Sequence, residues 1–114
     1  MKIVFTTKGK EMDSMMDARF GRAGYLLMYD DDTQQHIVYD NSESGNAAHG
    51  AGPLTAQKVY ELKADVIITG NGPGDNATAT LQMANIKVYV GAGNMKVSEA
   101  LLAFQQAKLT EIKL

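Results

Sequence analysis

Short apolar runs, separated by polar and glycine-rich segments, predict five β-strands along the chain. They cover residues 2–6, 23–29, 35–40, 64–69 and 86–90. The second strand carries apolar side chains on both faces, which is typical of a strand covered on both sides. The third alternates and predicts a half-exposed strand. Because only a short polar turn separates these two strands, they predict an antiparallel hairpin.

Three later segments have the spacing of amphipathic helices. Their apolar positions are, in chain order, Ala51, Leu54, Val59 and Leu62, then Ala77, Leu81 and Ala84, then Val97, Ala100, Leu101 and Phe104. Asp75 or Asn76 is the predicted N-cap of the second of these helices. The polar segments 8–17 and 41–50 predict loops, and the tail 109–114 is too short for a prediction.

The predicted order is β-β-β-α-β-α-β-α. Alternation of strand and helix in the second half predicts parallel crossover connections. A chain of 114 residues is long enough to bury one core without disulfides. We therefore predict a single three-layer α/β domain over residues 1–114. Its sheet would have five strands, with only 23–29 antiparallel to the others.

Strand directions predict where the loops meet. The first, third, fourth and fifth strands all end at one edge of the sheet, where the second begins. Most of the glycines follow these strand ends, and two helices start there. Ligands bind beyond the carboxyl ends of strands in open α/β sheets, and helix N-termini favour anions. The candidate binding residues are Arg22, His49, Gly50, Gly52, Asn71, Gly72, Gly74 and Asn76, with His49 also a candidate metal ligand.

Each of these residues also has a purely structural interpretation. Glycines at strand exits serve tight turns without any ligand, and an arginine such as Arg22 can be paired structurally. A histidine at a helix start, such as His49, need not bind anything. His36 lies mid-strand on the hairpin, where no other candidate converges. The expected role of three methionines is to fill gaps in the core. The alternative is that their thioether sulfurs lie near a site for a thiophilic metal. They are Met12, Met15 and Met16.

Composition narrows the function classes further. The net charge of −2 lacks the basic character of a nucleic-acid binder. The chain has no cysteine, which excludes thiolate-held zinc or iron–sulfur clusters and cysteine nucleophiles. No apolar run reaches membrane-spanning length, so we expect a cytoplasmic protein. No carboxylate pair, phosphate-binding lysine motif or serine elbow is present, so no enzymatic activity is predicted.

Several segments, in this order and spacing, resemble a known family. They are Phe20-Gly21-Arg22-Ala23, His49-Gly50-Ala51-Gly52, the stretch 65–77 with Gly-Asn-Gly-Pro-Gly-Asp-Asn-Ala, Ile86-Lys87-Val88-Tyr89 and Val97-Ser98-Glu99-Ala100-Leu101. They are similar to the dinitrogenase iron–molybdenum cofactor biosynthesis family, which includes NifX, the carrier domain of NafY, the C-terminal region of NifB and orange-protein-like stand-alone members of anaerobes. The resemblance covers roughly residues 2–109.

The resemblance implies a ribonuclease H-like motif without nuclease activity. It also implies a carrier or scaffold for a molybdenum–iron or molybdenum–copper sulfide cluster, held non-covalently. ATPases or radical enzymes of cluster assembly are the implied partners, and we expect a monomer. The absence of cysteine favours weak, transient holding of a preformed cluster.

Two other functions stay open at this point. The chain could be a small protein–protein module of the same pathways that binds no metal itself. The chain could also bind a nucleotide or a phosphate. The residues favour this function less, because no acidic residue that could bind a ribose follows a glycine loop after the first strand.

Overall fold

The computed structural model describes all 114 residues. The strands are β1 (Lys2–Thr7), β2 (Tyr25–Asp30), β3 (Gln35–Asp40), β4 (Val66–Ile68), β5 (Lys87–Val90) and β6 (Thr110–Ile112). The helices are α1 (Ser42–Gly45), α2 (Ala51–Glu61), α3 (Asp75–Met83) and α4 (Val97–Gln105). None of these helices is long and apolar enough to cross a membrane.

One mixed sheet contains all the strands, in the order β3-β2-β1-β4-β5-β6. β1, β4 and β5 are mutually parallel, and β2 is antiparallel to both β1 and β3. The predicted directions of these strands are therefore confirmed. The prediction of five strands is wrong, because β6 adds a sixth and runs antiparallel to β5. A strand of three residues has too few positions to show alternation, and it forms only because the edge of β5 offers backbone partners.

Helices cover the two faces of the sheet. One apolar cluster lies between α2, α3 and the face of the sheet that they cover. The strands β1, β2, β4 and β5 contribute Val4, Leu26, Ile67 and Val88 to it. The second cluster packs α4 against the opposite face of the same strands. Met16 is fully buried in this second cluster and Met12 packs against it, which supports core packing for these two methionines. The mixed α/β class is confirmed.

Local boundaries differ from the predictions at four places. Segment 41–50 contains the one-turn helix α1 rather than only loop. In α2, Leu54 is 48% exposed, and Thr55 and Ala56 are buried in its stead. Gly74, not Asp75 or Asn76, is the N-cap of α3, because the helix begins one or two residues earlier than predicted. The ends of β2, β4 and β5 shift by one or two residues, as strand ends commonly do.

Candidate functional site

A short segment, residues 17–20, crosses the edge where β1 and β4 end. The backbone N–H of Asp17 donates to the carbonyl of Thr6 at 2.8 Å, and that of Asn71 donates to the carbonyl of Ala18 at 2.7 Å. A Cβ added to Gly70 would lie 2.6 Å from the Cα of Ala18 and 2.8 Å from that of Gly93. The structural interpretation therefore holds for Gly70, since close backbone packing alone requires glycine there.

Beside this crossing lies an open depression of about 620 Å³. It is bounded by the N-terminal ends of α2 and α3 and by the segment 20–22. Its lining residues are Phe20, Gly21, Arg22, Gly50, Ala51, Gly52, Pro53, Gly72, Pro73, Gly74, Asp75, Asn76 and Ala77. Most of these residues are small, so backbone atoms form much of the surface.

Four backbone N–H groups at the starts of α2 and α3 have no acceptor within the chain. In α2 the first turn closes when the N–H of Leu54 donates to the carbonyl of Gly50, which leaves the amides of Ala51 and Gly52 unpaired. In α3 the carbonyl of Gly74 is the acceptor at the first turn, and the amides of Asp75 and Asn76 are unpaired. Neither N-cap side chain fills this role, because both N-caps are glycines. The two positive helix ends thus present free donors to one depression.

Gly21 lets the wall of the depression approach α2 closely. A Cβ at this position would lie 2.6 Å from the backbone nitrogen of Gly52 and 2.9 Å from the carbonyl carbon of Ala51. Real side chains do not make backbone contacts this short. The glycine therefore permits the packing that brings Arg22, the next residue, to the start of α2.

Two buried polar side chains, Asn41 and Thr55, hold the segment around Gly21 in place by hydrogen bonds. The Nδ2 group of Asn41 donates to the carbonyl of Ala23 at 2.9 Å and to the hydroxyl of Thr55 at 3.2 Å. The hydroxyl of Thr55 in turn donates to the carbonyl of Gly21 at 3.0 Å. Buried polar groups are stable when fully paired, so this network holds the wall to α2 and to the start of α1.

Arg22 is the only cationic residue of the lining. Its Nη1 group donates to the carbonyls of Gly45 and Ala47, at 2.9 and 3.0 Å. These two bonds use both hydrogens of Nη1, and the Nε and Nη2 hydrogens have no acceptor within the chain. The guanidinium is thereby held in place by one edge, while the edge suited to bidentate binding of an anion is unpaired.

Asp17 and Arg19 form an ion pair next to the depression. The Nε and Nη2 groups of Arg19 donate to the two carboxylate oxygens of Asp17, at 3.1 and 3.0 Å, and the backbone N–H of Arg19 adds a third bond. Burial alone would raise the pKa of the Asp17 carboxyl. The three hydrogen bonds and the charge of Arg19 outweigh burial, so the pKa is lower than usual.

Because this pKa is lowered in the folded state, Asp17 stabilises the fold above its unfolded pKa of about 3.9 and loses that contribution as the pH falls through the folded value. We expect Asp17→Asn to reduce the free energy of unfolding by about 1–3 kcal/mol at pH 7 and by much less at pH 2.5. Urea denaturation at both pH values measures the difference. Asp13→Asn, at an exposed loop carboxylate, is the control. A loss that is equal at both pH values would contradict the ionic contribution.

Six of the eight predicted binding residues line the depression. These are Arg22, Gly50, Gly52, Gly72, Gly74 and Asn76. Two do not: Asn71 uses its backbone N–H on Ala18, and His49 is exposed, one residue before the N-cap of α2. Met12, Met15 and Met16 lie outside the lining too. The depression is therefore lined by nitrogen and oxygen donors, without a thiol or thioether.

The sequence-based list omits the remaining lining residues. They are Phe20, Gly21, Ala51, Pro53, Pro73, Asp75 and Ala77. Phe20 and Gly21 directly precede the candidate Arg22, and this proximity could have identified them as lining residues. The two prolines carry no such signal, because they contribute only shape. Asp75 is an acidic residue in a predicted helix start, which usually indicates helix stabilisation rather than a binding site.

Known proteins resemble this chain along most of its length. The structure of the apo form of the orange protein from Desulfovibrio gigas matches with a TM-score of 0.91 and 32% sequence identity, over 97% of this chain and 92% of that one. A putative NifB protein from Thermotoga, assigned to the DUF35 family, matches with a TM-score of 0.82 and 34% identity, over 96% of this chain and 91% of that one. Comparison with curated protein sequences gives no match.

The family comparison agrees with these structures and with the motifs around the depression. The model described as dinitrogenase iron-molybdenum cofactor matches residues 1–107, which include every residue of the lining. The chain belongs to the dinitrogenase iron–molybdenum cofactor family.

Proposed function

We propose that this protein is a non-catalytic carrier or scaffold for a molybdenum- or iron-containing metal–sulfur cluster or its precursor. The observation that carries the proposal is the depression with four unpaired backbone amides and the unpaired edge of Arg22. Such donors suit an anion with several acceptor atoms on its surface. Membership of the dinitrogenase iron–molybdenum cofactor family supports a metal cluster as that anion.

The donor set favours non-covalent holding. Sulfide ligands at the surface of a molybdenum–iron or molybdenum–copper cluster carry negative charge and accept hydrogen bonds. The amides of α2 and α3 would donate to them, and Arg22 would pair with one face of the cluster. The chain has no cysteine with which to form a metal–thiolate bond. A cargo held in this way keeps its own ligands and can be passed on without breaking a bond to the protein.

His49 is the one imidazole near the depression, and we retain it as a proposed metal ligand. It is exposed and adjoins Gly50, which does line the depression. Imidazole nitrogen ligates iron and copper well. Asn71 is proposed only as a neighbour of the site, because its backbone N–H is already used.

The absence of catalysis also stays a proposal. β1, the central strand, carries no carboxylate on which a two-metal nuclease could be built. The order β3-β2-β1-β4-β5 with antiparallel β2 and helices on both faces supports the ribonuclease H-like motif that the sequence resemblance implies. We propose a single domain over residues 1–114.

A second candidate function is a docking module for cluster-assembly proteins such as ATPases or radical enzymes. One observation favours it. Between the outer sides of α2 and α3 lies a shallow groove of about 250 Å³, where Met83 is 85% exposed and Tyr60 is 52% exposed. Exposed apolar side chains beside a groove are typical of protein contact surfaces. In this alternative the chain binds no metal itself.

Anaerobic titration with tetrathiomolybdate tests the carrier proposal. We expect the wild-type protein to retain molybdenum through desalting, read by visible absorption and metal analysis. Arg22→Gln should lower the affinity about tenfold or more, because a charge-assisted contact is worth about 1.5–3 kcal/mol. Lys108→Gln, at an exposed lysine beyond α4, is the control and should change nothing. Wild-type protein that retains no metal would overturn the carrier proposal and favour the docking module.

The same titration with His49→Ala tests metal ligation. A lost ligand should lower retention about tenfold, since each factor of ten corresponds to about 1.4 kcal/mol. His36→Ala, in the exposed strand β3, is the matched control. Equal retention by wild type and His49→Ala would remove the ligand assignment and leave backbone and Arg22 binding.

A further inference from the structure

Asp75 is the only carboxylate among the residues that line the depression. It is the first residue of α3 and is exposed, and its own backbone N–H is one of the four unpaired amides. Its side chain takes part in no hydrogen bond or ion pair within the chain. A full negative charge therefore stands, without a neutralising partner, in a site whose other features attract anions.

A helix start explains only part of this arrangement. An acidic side chain in the first turn stabilises a helix by about 0.3–1 kcal/mol through the macrodipole. Asp75 is not the N-cap of α3 and its carboxylate accepts no capping hydrogen bond, so the macrodipole is the only stabilisation that it adds to the helix. In this depression the carboxylate opposes each anion that the amides and Arg22 attract. Attraction and repulsion depend on different properties of a ligand. The hydrogen bonds depend on the positions of its acceptor atoms, and the repulsion by Asp75 depends on its charge.

We propose that Asp75 is a specificity-determining residue that limits the negative charge of the anion held in the depression. This inference rests on the carrier function proposed above. The preferred substrate class is an anion with several acceptor atoms and little negative charge close to Asp75, such as a cluster whose charge is spread over many sulfides. A compact anion of high charge is held less tightly than its hydrogen bonds alone would allow. The same repulsion keeps binding weak enough for release to an acceptor.

Two tetrahedral anions of similar shape separate charge from geometry. Perrhenate carries one negative charge and molybdate carries two. Calorimetric titration of each, at low ionic strength, compares wild type with Asp75→Asn. If the perrhenate charge lies about 6 Å from the Asp75 carboxylate in water, Coulomb's law predicts that the substitution strengthens perrhenate binding about threefold. Because repulsion scales with ligand charge, the gain for molybdate should be about the square of that, roughly tenfold.

Three controls accompany this measurement. Asp13→Asn removes an exposed carboxylate from the first loop and should change neither affinity. Repeating the titrations in about 0.5 M salt should shrink both gains, because exposed charges are then screened within a few ångströms. Thermal melting of Asp75→Asn checks that the helix start is intact. Tetrathiomolybdate, a dianion, should follow molybdate.

The possible results separate this inference from the carrier function. Equal gains for perrhenate and molybdate, or no gain for either, would overturn charge selection while wild-type binding leaves the carrier function intact. If only the Asp75→Asn variant binds these anions, the role of Asp75 in limiting charge is supported. The proposal that the wild-type protein carries such an anion is then overturned. If neither protein binds perrhenate, molybdate or tetrathiomolybdate, both proposals are overturned.

Discussion

Replacing Gly21 with alanine is expected to destabilise the fold by about 2–3 kcal/mol and to abolish anion retention. The added Cβ would lie 2.6 and 2.8 Å from the backbone nitrogen and Cα of Gly52. Both atoms belong to the backbone at the start of α2, so no flexible side chain can move aside. Either α2 or the segment carrying Arg22 must shift, and each shift separates donors that now face one depression. Chemical denaturation and tetrathiomolybdate titration measure the two effects.

Gly74→Ala is the matched control for this substitution. Gly74 lines the same depression, but a Cβ there has no atom within 4 Å. Its φ of −72° also suits any residue. Because glycine is a better N-cap than alanine, this exchange should cost about 0.5–1 kcal/mol, which is less than the clash expected at Gly21. If both variants were equally stable, close approach at Gly21 would not explain the need for glycine.

Leu81→Ala is expected to lower the free energy of unfolding by about 3–5 kcal/mol. Leu81 is fully buried in the apolar cluster between α3 and the sheet, together with Ala77, which lines the depression. Truncation removes apolar contact and leaves a cavity beneath the helix. Anion affinity should fall as well, because α3 then loses its rigid support. Urea denaturation at pH 7 measures the loss of stability.

Met83→Ala provides the comparison two residues further along the same helix. This side chain is 85% exposed, so its removal should change stability by less than about 0.5 kcal/mol. The pair tests which face of α3 is buried. Similar losses from both variants would contradict the orientation of this helix.

Anion binding by this protein would depend on backbone geometry more than on side-chain chemistry. Arg22 is the one cationic side chain of the lining, and it is already tied to the carbonyls of Gly45 and Ala47. The amides come from helix ends that exist only while both helices are packed on the sheet. Anion affinity and fold stability are therefore coupled at this site, whereas changes at exposed positions such as Met83 should affect neither.

Hydrophobic periodicity by itself determined most of the architecture. Runs that are apolar on both faces indicate buried strands, and alternation of strand and helix dictates parallel crossovers. These features predicted that β4 runs parallel to β1 and that Ala77 and Leu81 point inward, which the structure confirms. They also brought Arg22 and the glycines at 50, 52, 72 and 74 to one edge of the sheet, where they line one depression.

Only the tertiary structure decided the features that depend on partners distant along the chain. The strand β6 needs the edge of β5, and the burial of Thr55 rather than Leu54 follows from its hydrogen bonds to the network around Asn41. The place of His49 outside the lining of the depression depends on how α2 and α3 pack together. Local patterns report which face of an element is apolar. They do not report which backbone groups are left without an acceptor, because that depends on contacts between elements far apart in the sequence.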